Sequence, residues 1–66
     1  MTYYLGQTWM KSEDEFFMII GLENDIVKIS GFANVRDLPQ NPPLRIKIGD
    51  FQTFLDTEAS EYKQVR

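Results

Sequence analysis

The chain is expected to be mainly β: five short strands curled into a small barrel, with one helical turn before the last strand. Two observations carry this reading. Phe16-Phe17-Met18-Ile19-Ile20-Gly21-Leu22 and Ile26-Val27-Lys28-Ile29-Ser30-Gly31-Phe32 flank the polar Glu23-Asn24-Asp25. Two runs rich in β-branched and aromatic residues about a short turn are the pattern of a β-hairpin. The first run is also apolar at nearly every position, so neither of its faces can meet water along its length. Such a strand belongs in the middle of a closed or two-layered β-structure.

In chain order, Gly6-Gln7-Thr8-Trp9-Met10-Lys11 reads as a first strand, with Thr8 and Met10 on one face and Trp9 and Lys11 on the other. Ser12-Glu13-Asp14 is a polar turn. Ser12 with Glu15 matches a helix capping box, but the Phe-Phe-Met-Ile-Ile run that follows has β character and overrides it. Glu15 to Leu22 and Ile26 to Phe32 are the second and third strands. Gly21 and Gly31 lie inside them, where glycine marks a bulge or sharp bend. Residues 34–43 contain Leu38-Pro39 and Asn41-Pro42-Pro43 and form a long loop, since proline sustains neither helix nor sheet ladder. Leu44-Arg45-Ile46-Lys47-Ile48 alternates with period two and places Leu44, Ile46 and Ile48 toward the core. Asp50 is an N-cap for a helical turn over Phe51–Leu55, whose Phe51, Phe54 and Leu55 share one face. Asp56 to Ser60 connects to a last strand, Glu61 to Val65, expected to lie beside the first.

Five strands, a polar loop after the third and a helical turn before the last resemble the small SH3-like barrels of the SH3, Tudor and KOW-type group. The resemblance rests on Gly6-Gln7-Thr8-Trp9, the hairpin Phe16–Phe32, the strand Arg45–Ile48 and the turn Phe51–Leu55. It implies an architecture, and barrels of this kind host unrelated functions. The peptide-binding SH3 group carries a tryptophan at the start of the third strand. Here Trp9 lies on the first and Val27–Ile29 has none, so no polyproline groove carries over.

Sixty-six residues make a single domain, 1–66, with a small core. The chain has no cysteine and no histidine. This removes disulfides, thiolate and imidazole metal sites, a histidine general base and the Ser-His-Asp triad. A small domain without disulfides points to a reducing, cytoplasmic setting. Met1-Thr2-Tyr3-Tyr4-Leu5 has no basic segment before an apolar core and reads as no secretory leader. Phe16–Leu22 is far short of the ~20 residues that cross a bilayer, so no membrane partner is expected. Asp50 with Asp56, or Glu13 with Asp14, could pair as general acid and base, but nothing in the sequence buries them. The acids Glu13, Asp14, Glu15, Glu23 and Asp25 match no calcium-loop spacing. There is no Gly-rich phosphate loop. The expectation is therefore a non-enzyme with no cofactor and no metal.

Two candidate surfaces remain. Nine aromatic residues are more than so small a barrel can hide. Phe17, Phe51 and Phe54 are best placed for the core, which leaves Tyr3, Trp9, Phe16 and Phe32 for an exposed patch beside the acidic Glu13 and Asp14. Aromatic side chains of this kind anchor protein interfaces. This favours a protein-binding module or small inhibitor of a larger protein, its acidic loop steering toward a basic partner surface. The competing surface is basic: Lys28, Arg36, Arg45 and Lys47 stand against the single acid Asp37 between positions 28 and 47. They would contact phosphates of a nucleic acid, although the net charge of −3 opposes polyanion binding. A third route is homodimer formation through an unpaired strand edge.

Overall fold

The computed structural model describes residues 2–33, 35–37 and 43–66, apart from the side chain of Asp37. Its elements are β1 (Thr8–Ser12), β2 (Glu15–Glu23), β3 (Ile26–Phe32), β4 (Leu44–Lys47), α1 (Ile48–Asp56) and β5 (Lys63–Gln64), with a 3₁₀ turn at Val35–Asp37 before β4. The protein is mainly β, as its strand-forming runs predict. All strand pairings are antiparallel, and the order β4-β3-β2-β1-β5 makes one open sheet with β4 and β5 at its edges. Of the long loop expected at 34–43, the segment 35–37 forms the 3₁₀ turn. Leu38-Pro39 and Asn41-Pro42 lie outside the described residues.

The β2–β3 hairpin forms where the sequence places it, with Glu23 opposite Ile26 across Asn24-Asp25. Asn24 takes a φ of 53°, a left-handed conformation that its short polar side chain tolerates. The β2–β3 register shifts between Ile19 and Gly21, so Gly21 does mark a bulge. Gly31 acts differently. Its φ is +150°, it sits opposite Phe17, and a Cβ there would strike the Phe16 carbonyl. It permits close approach of two backbones rather than a bend.

The expected fourth strand is one residue too long. β3 begins at Ile26, opposite Lys47, so Ile48 has no residue to pair with. Its N–H instead donates to the Asp25 carbonyl at 2.6 Å, and α1 starts there. Ile48 is consequently exposed rather than core-facing. Lys47, in extended conformation, takes the N-cap position without a side-chain capping bond. Asp50 is no cap: it lies in the first turn, where the free N–H groups favour a carboxylate. Phe51 and Phe54 are buried on the predicted face and Leu55 is half-buried.

β5 is short, but the chain continues alongside β1: Val65 N–H donates to the Thr8 carbonyl at 2.8 Å, and Thr8 N–H to that of Arg66 at 3.1 Å. The expected neighbour of the first strand is therefore the last one.

The core lies between α1 and one face of the sheet, here called inner. Trp9, Phe17, Ile19, Val27, Ile29 and Ile46 point from the strands toward Phe51 and Phe54. Trp9 stacks on Phe17 at 5.4 Å, Phe51 meets Trp9 edge-on at 5.5 Å, and Phe54 meets Phe17 at 5.7 Å. Such ring pairs contribute about 0.5–1.5 kcal/mol each beyond the area they bury. Beyond α1, Ala59 is buried and Tyr62 packs on Phe17 at 5.3 Å.

At the rim, Arg36 donates from Nε and Nη2 to both Glu58 oxygens at 2.6–3.0 Å and lies over the Phe54 ring. This joins the 3₁₀ turn to the segment after α1. Lys11 pairs with Glu61 at 2.8 Å and Lys28 with Glu23 at 2.5 Å. Hydrogen bonding from these cations holds Glu58, Glu61 and Glu23 below the ordinary carboxylate range. All three carboxylates are exposed, so each pair contributes little at neutral pH.

Phe17→Ala is expected to cost about 3–5 kcal/mol by urea denaturation, comparable to the entire stability of a domain this small. A carboxylate whose pKa is lowered by folding stabilises the native state above its unfolded pKa, and that stability is lost as pH falls through the folded value. Melting temperature should therefore be flat from about pH 7 to 5 and decline below about pH 4.5, with a shallower decline in Glu58→Gln.

Candidate interaction surface

α1 covers one face of the sheet. Among the described residues, nothing covers the other. Pairing fixes what that outer face displays, because directly opposed residues project to the same side. Met10, Phe16 and Phe32 lie level with one another across β1, β2 and β3. Met18 follows on β2 opposite Ser30, then Ile20 at the bulge. Phe32 is 58% exposed and Ile20 44%, while Met10 and Met18 are each more than one-third exposed. The Phe16 ring is partly covered by Phe32, edge to face at 6.1 Å. The result is a continuous apolar stripe along the central strands. Phe32 and Ile20 are its most open side chains.

This overturns the inference drawn from the Phe16–Leu22 run. A fully apolar strand was expected to be sheltered on both sides, but only its inner side chains, Phe17 and Ile19, are.

The candidate aromatics separate into two groups. Phe16 and Phe32 sit on the outer face. Trp9, at 6% exposure, is a core residue and offers no exposed ring. Tyr3 is half-buried, its ring edge-on to Phe51 at 5.0 Å and its hydroxyl donating to Gln52 Oε1 at 3.1 Å. Burial and then the nearby Asp56 carboxylate push that hydroxyl's pKa up. Both Trp9 and Tyr3 pack under α1, on the opposite side from Phe16 and Phe32. Glu13 and Asp14 are exposed in the β1–β2 turn, beside the Phe16–Phe32 end of the stripe.

The basic candidates also divide. Lys28 and Arg45 are direct partners across β3 and β4, and Lys47 follows Arg45 by two, so all three share the outer face. They lie about 13 Å along β3 from Phe32. Lys28 crosses over Gly21 to reach Glu23. Arg36 is remote from them, fixed against Glu58 and Phe54 near the end of α1. The four bases form no single stripe.

Sequence reasoning missed Met10, Met18, Ile20 and Lys63. Lys63 stands opposite Met10 and so joins the same face. The parity of β1 and β2 places the first three together, but the assumption of a second covering layer hid their exposure.

On the far side, a cleft of about 410 Å³ is lined by Lys11, Glu15, Arg36, Glu58, Glu61 and Tyr62 among others. Its charged side chains are largely committed to ion pairs with one another. Asp50 and Asp56 are exposed on α1, where Asp56 accepts from Gln52 Nε2 at 3.0 Å. Among the described residues no three carboxylates group as a metal site, and no helix is long and apolar enough to cross a membrane.

No family model matches the chain, and comparison with the curated proteins and with the solved structures finds no match to it.

The single tryptophan reports on its own placement: emission of the native protein should be blue-shifted and only weakly quenched by acrylamide. A fully exposed spectrum would contradict the buried Trp9. The Tyr62 hydroxyl is buried without a hydrogen-bond partner among the described residues. Tyr62→Phe is therefore expected to leave stability unchanged or raise it by up to about 1 kcal/mol in urea titrations.

Proposed function

We propose that this protein is a non-catalytic protein-binding module, an adaptor or small inhibitor, which docks a larger protein against the outer face of its sheet. The observation that carries this reading is the uncovered stripe of Met10, Phe16, Met18, Ile20 and Phe32. Methionines suit such a surface because their flexible, polarisable side chains adapt to the partner's shape. Phe32 supplies a large anchor with little conformational freedom to lose. The lack of histidine and cysteine supports a role without catalysis, and the lack of cysteine a cytoplasmic one. The pairing of β5 with β1 and the helix before β5 support kinship with the SH3-like barrels. Binding of nucleic acid is the second reading, favoured by Lys28, Arg45 and Lys47 on the same face as Phe32.

The test is affinity capture from native lysate with wild type and with Met18→Asp/Phe32→Asp, both shown by circular dichroism to be folded. A protein retained by wild type and reduced at least about tenfold by the variant is expected, since interface anchors are worth 2 kcal/mol or more. Equal retention by the two would remove the outer face as the docking surface.

A further inference from the structure

The charges around the stripe say what kind of protein surface would fit it. The sheet residues that project outward carry four bases, Lys28, Arg45, Lys47 and Lys63, and one acid, Glu23, which Lys28 already pairs. This sign is opposite to that of the whole chain, whose net charge is −3. The acids Asp50, Asp56, Glu58 and Glu61 lie in α1 or after it, away from the face, and Glu13 and Asp14 lie in the turn at its end.

The bases also flank the stripe. Arg45 and Lys47 stand on the β4 edge beside its Ile20 end. Lys63 stands on the β5 edge beside its Met10–Phe16 end. Neighbouring strands are about 4.8 Å apart, so the two edges of the five-stranded sheet are about 19 Å apart. An α-helix with its side chains is about 10–12 Å across. Laid along β2, it would bury its apolar face on the stripe and bring its two flanks to within about 4 Å of the basic edges, a gap that Arg and Lys side chains span.

We infer that the occupant of the outer face is an amphipathic α-helix of a partner protein whose apolar stripe is flanked by carboxylates. The inference rests on the docking surface proposed above and adds the chemistry of its partner. The flexible Met10 and Met18 would fill the spaces between the helix's apolar side chains. Arg45, Lys47 and Lys63 would pair its Glu or Asp residues, fixing orientation and rejecting a basic helix. Helix-in-groove recognition of this sort reads a partner at i, i+3, i+4 and i+7.

The experiment uses two synthetic helical peptides about 18 residues long, a length near that of β2 once helical. They share one leucine stripe, flanked by Glu in one and by Lys in the other, and are titrated into the intact protein by fluorescence anisotropy at low salt. The Glu-flanked peptide is expected to bind at least about tenfold tighter, against the sign of the protein's net charge. The preference should shrink or reverse in Arg45→Glu/Lys47→Glu/Lys63→Glu, and both peptides should be lost in Met18→Asp/Phe32→Asp, each variant being checked for native melting. Equal binding, or preference for the Lys-flanked peptide, overturns the inferred partner chemistry while leaving hydrophobic docking on this face intact. Binding of neither peptide overturns it as well. A labelled oligothymidine bound more tightly than either peptide, with steep salt dependence abolished by the triple charge reversal, assigns the face to nucleic acid instead. A dimer seen in sedimentation and abolished by Met18→Asp/Phe32→Asp assigns it to a second copy.

Discussion

A single nine-residue helix has to close the core of a five-stranded sheet, and this organises the rest of the molecule. Phe51 and Phe54 press α1 onto Trp9, Phe17 and the aliphatic side chains of β2, β3 and β4. Rings serve this purpose well because each buries a large area from one backbone position. A chain of this size has little surface to bury in total, so concentrating the aromatics on one side makes a compact core there. The same concentration leaves the opposite side of the sheet without a covering layer among the described residues.

The sheet's two faces consequently differ in kind. Inside, packing is tight enough that Gly31 has no room for a Cβ beside the Phe16 carbonyl. Outside, Met18 and Ile20 on β2 are as apolar as their inward-facing neighbours Phe17 and Ile19 but remain substantially open to water. The docking role proposed for this face would account for such apolar side chains at its surface. The bases at the margins of that face, in a chain that is acidic overall, point the same way.

The ion pairs contribute differently. Arg36 with Glu58, and Lys11 with Glu61, lie at the rim of the inner side, where they connect the 3₁₀ turn and β1 to the segment between α1 and β5. Their exposure limits what they add to stability. They also set Arg36 and Lys11 apart from the bases that strand register places on the outer face. Arg36 is withdrawn from the outer face, whereas Arg45, Lys47 and Lys63 stay on it.

Much of this was legible in the chain itself. The alternation of apolar residues, the turn chemistry of Asn24-Asp25 and the spacing of Phe51, Phe54 and Leu55 specify strands, hairpin and helical face, because each depends on residues only two to four positions apart. The last strand is expected beside the first, and β5 pairs with β1 there. Three features needed tertiary structure. The helix begins at Ile48 because β3 supplies no residue for it to pair with, a condition set some twenty residues away in sequence. Trp9 is buried because its register with Phe17 puts it beneath α1. The sheet is open, with one face left uncovered by the described residues, because covering a face requires a second layer, and whether a chain folds back far enough to provide one is decided by long-range packing rather than by any local pattern.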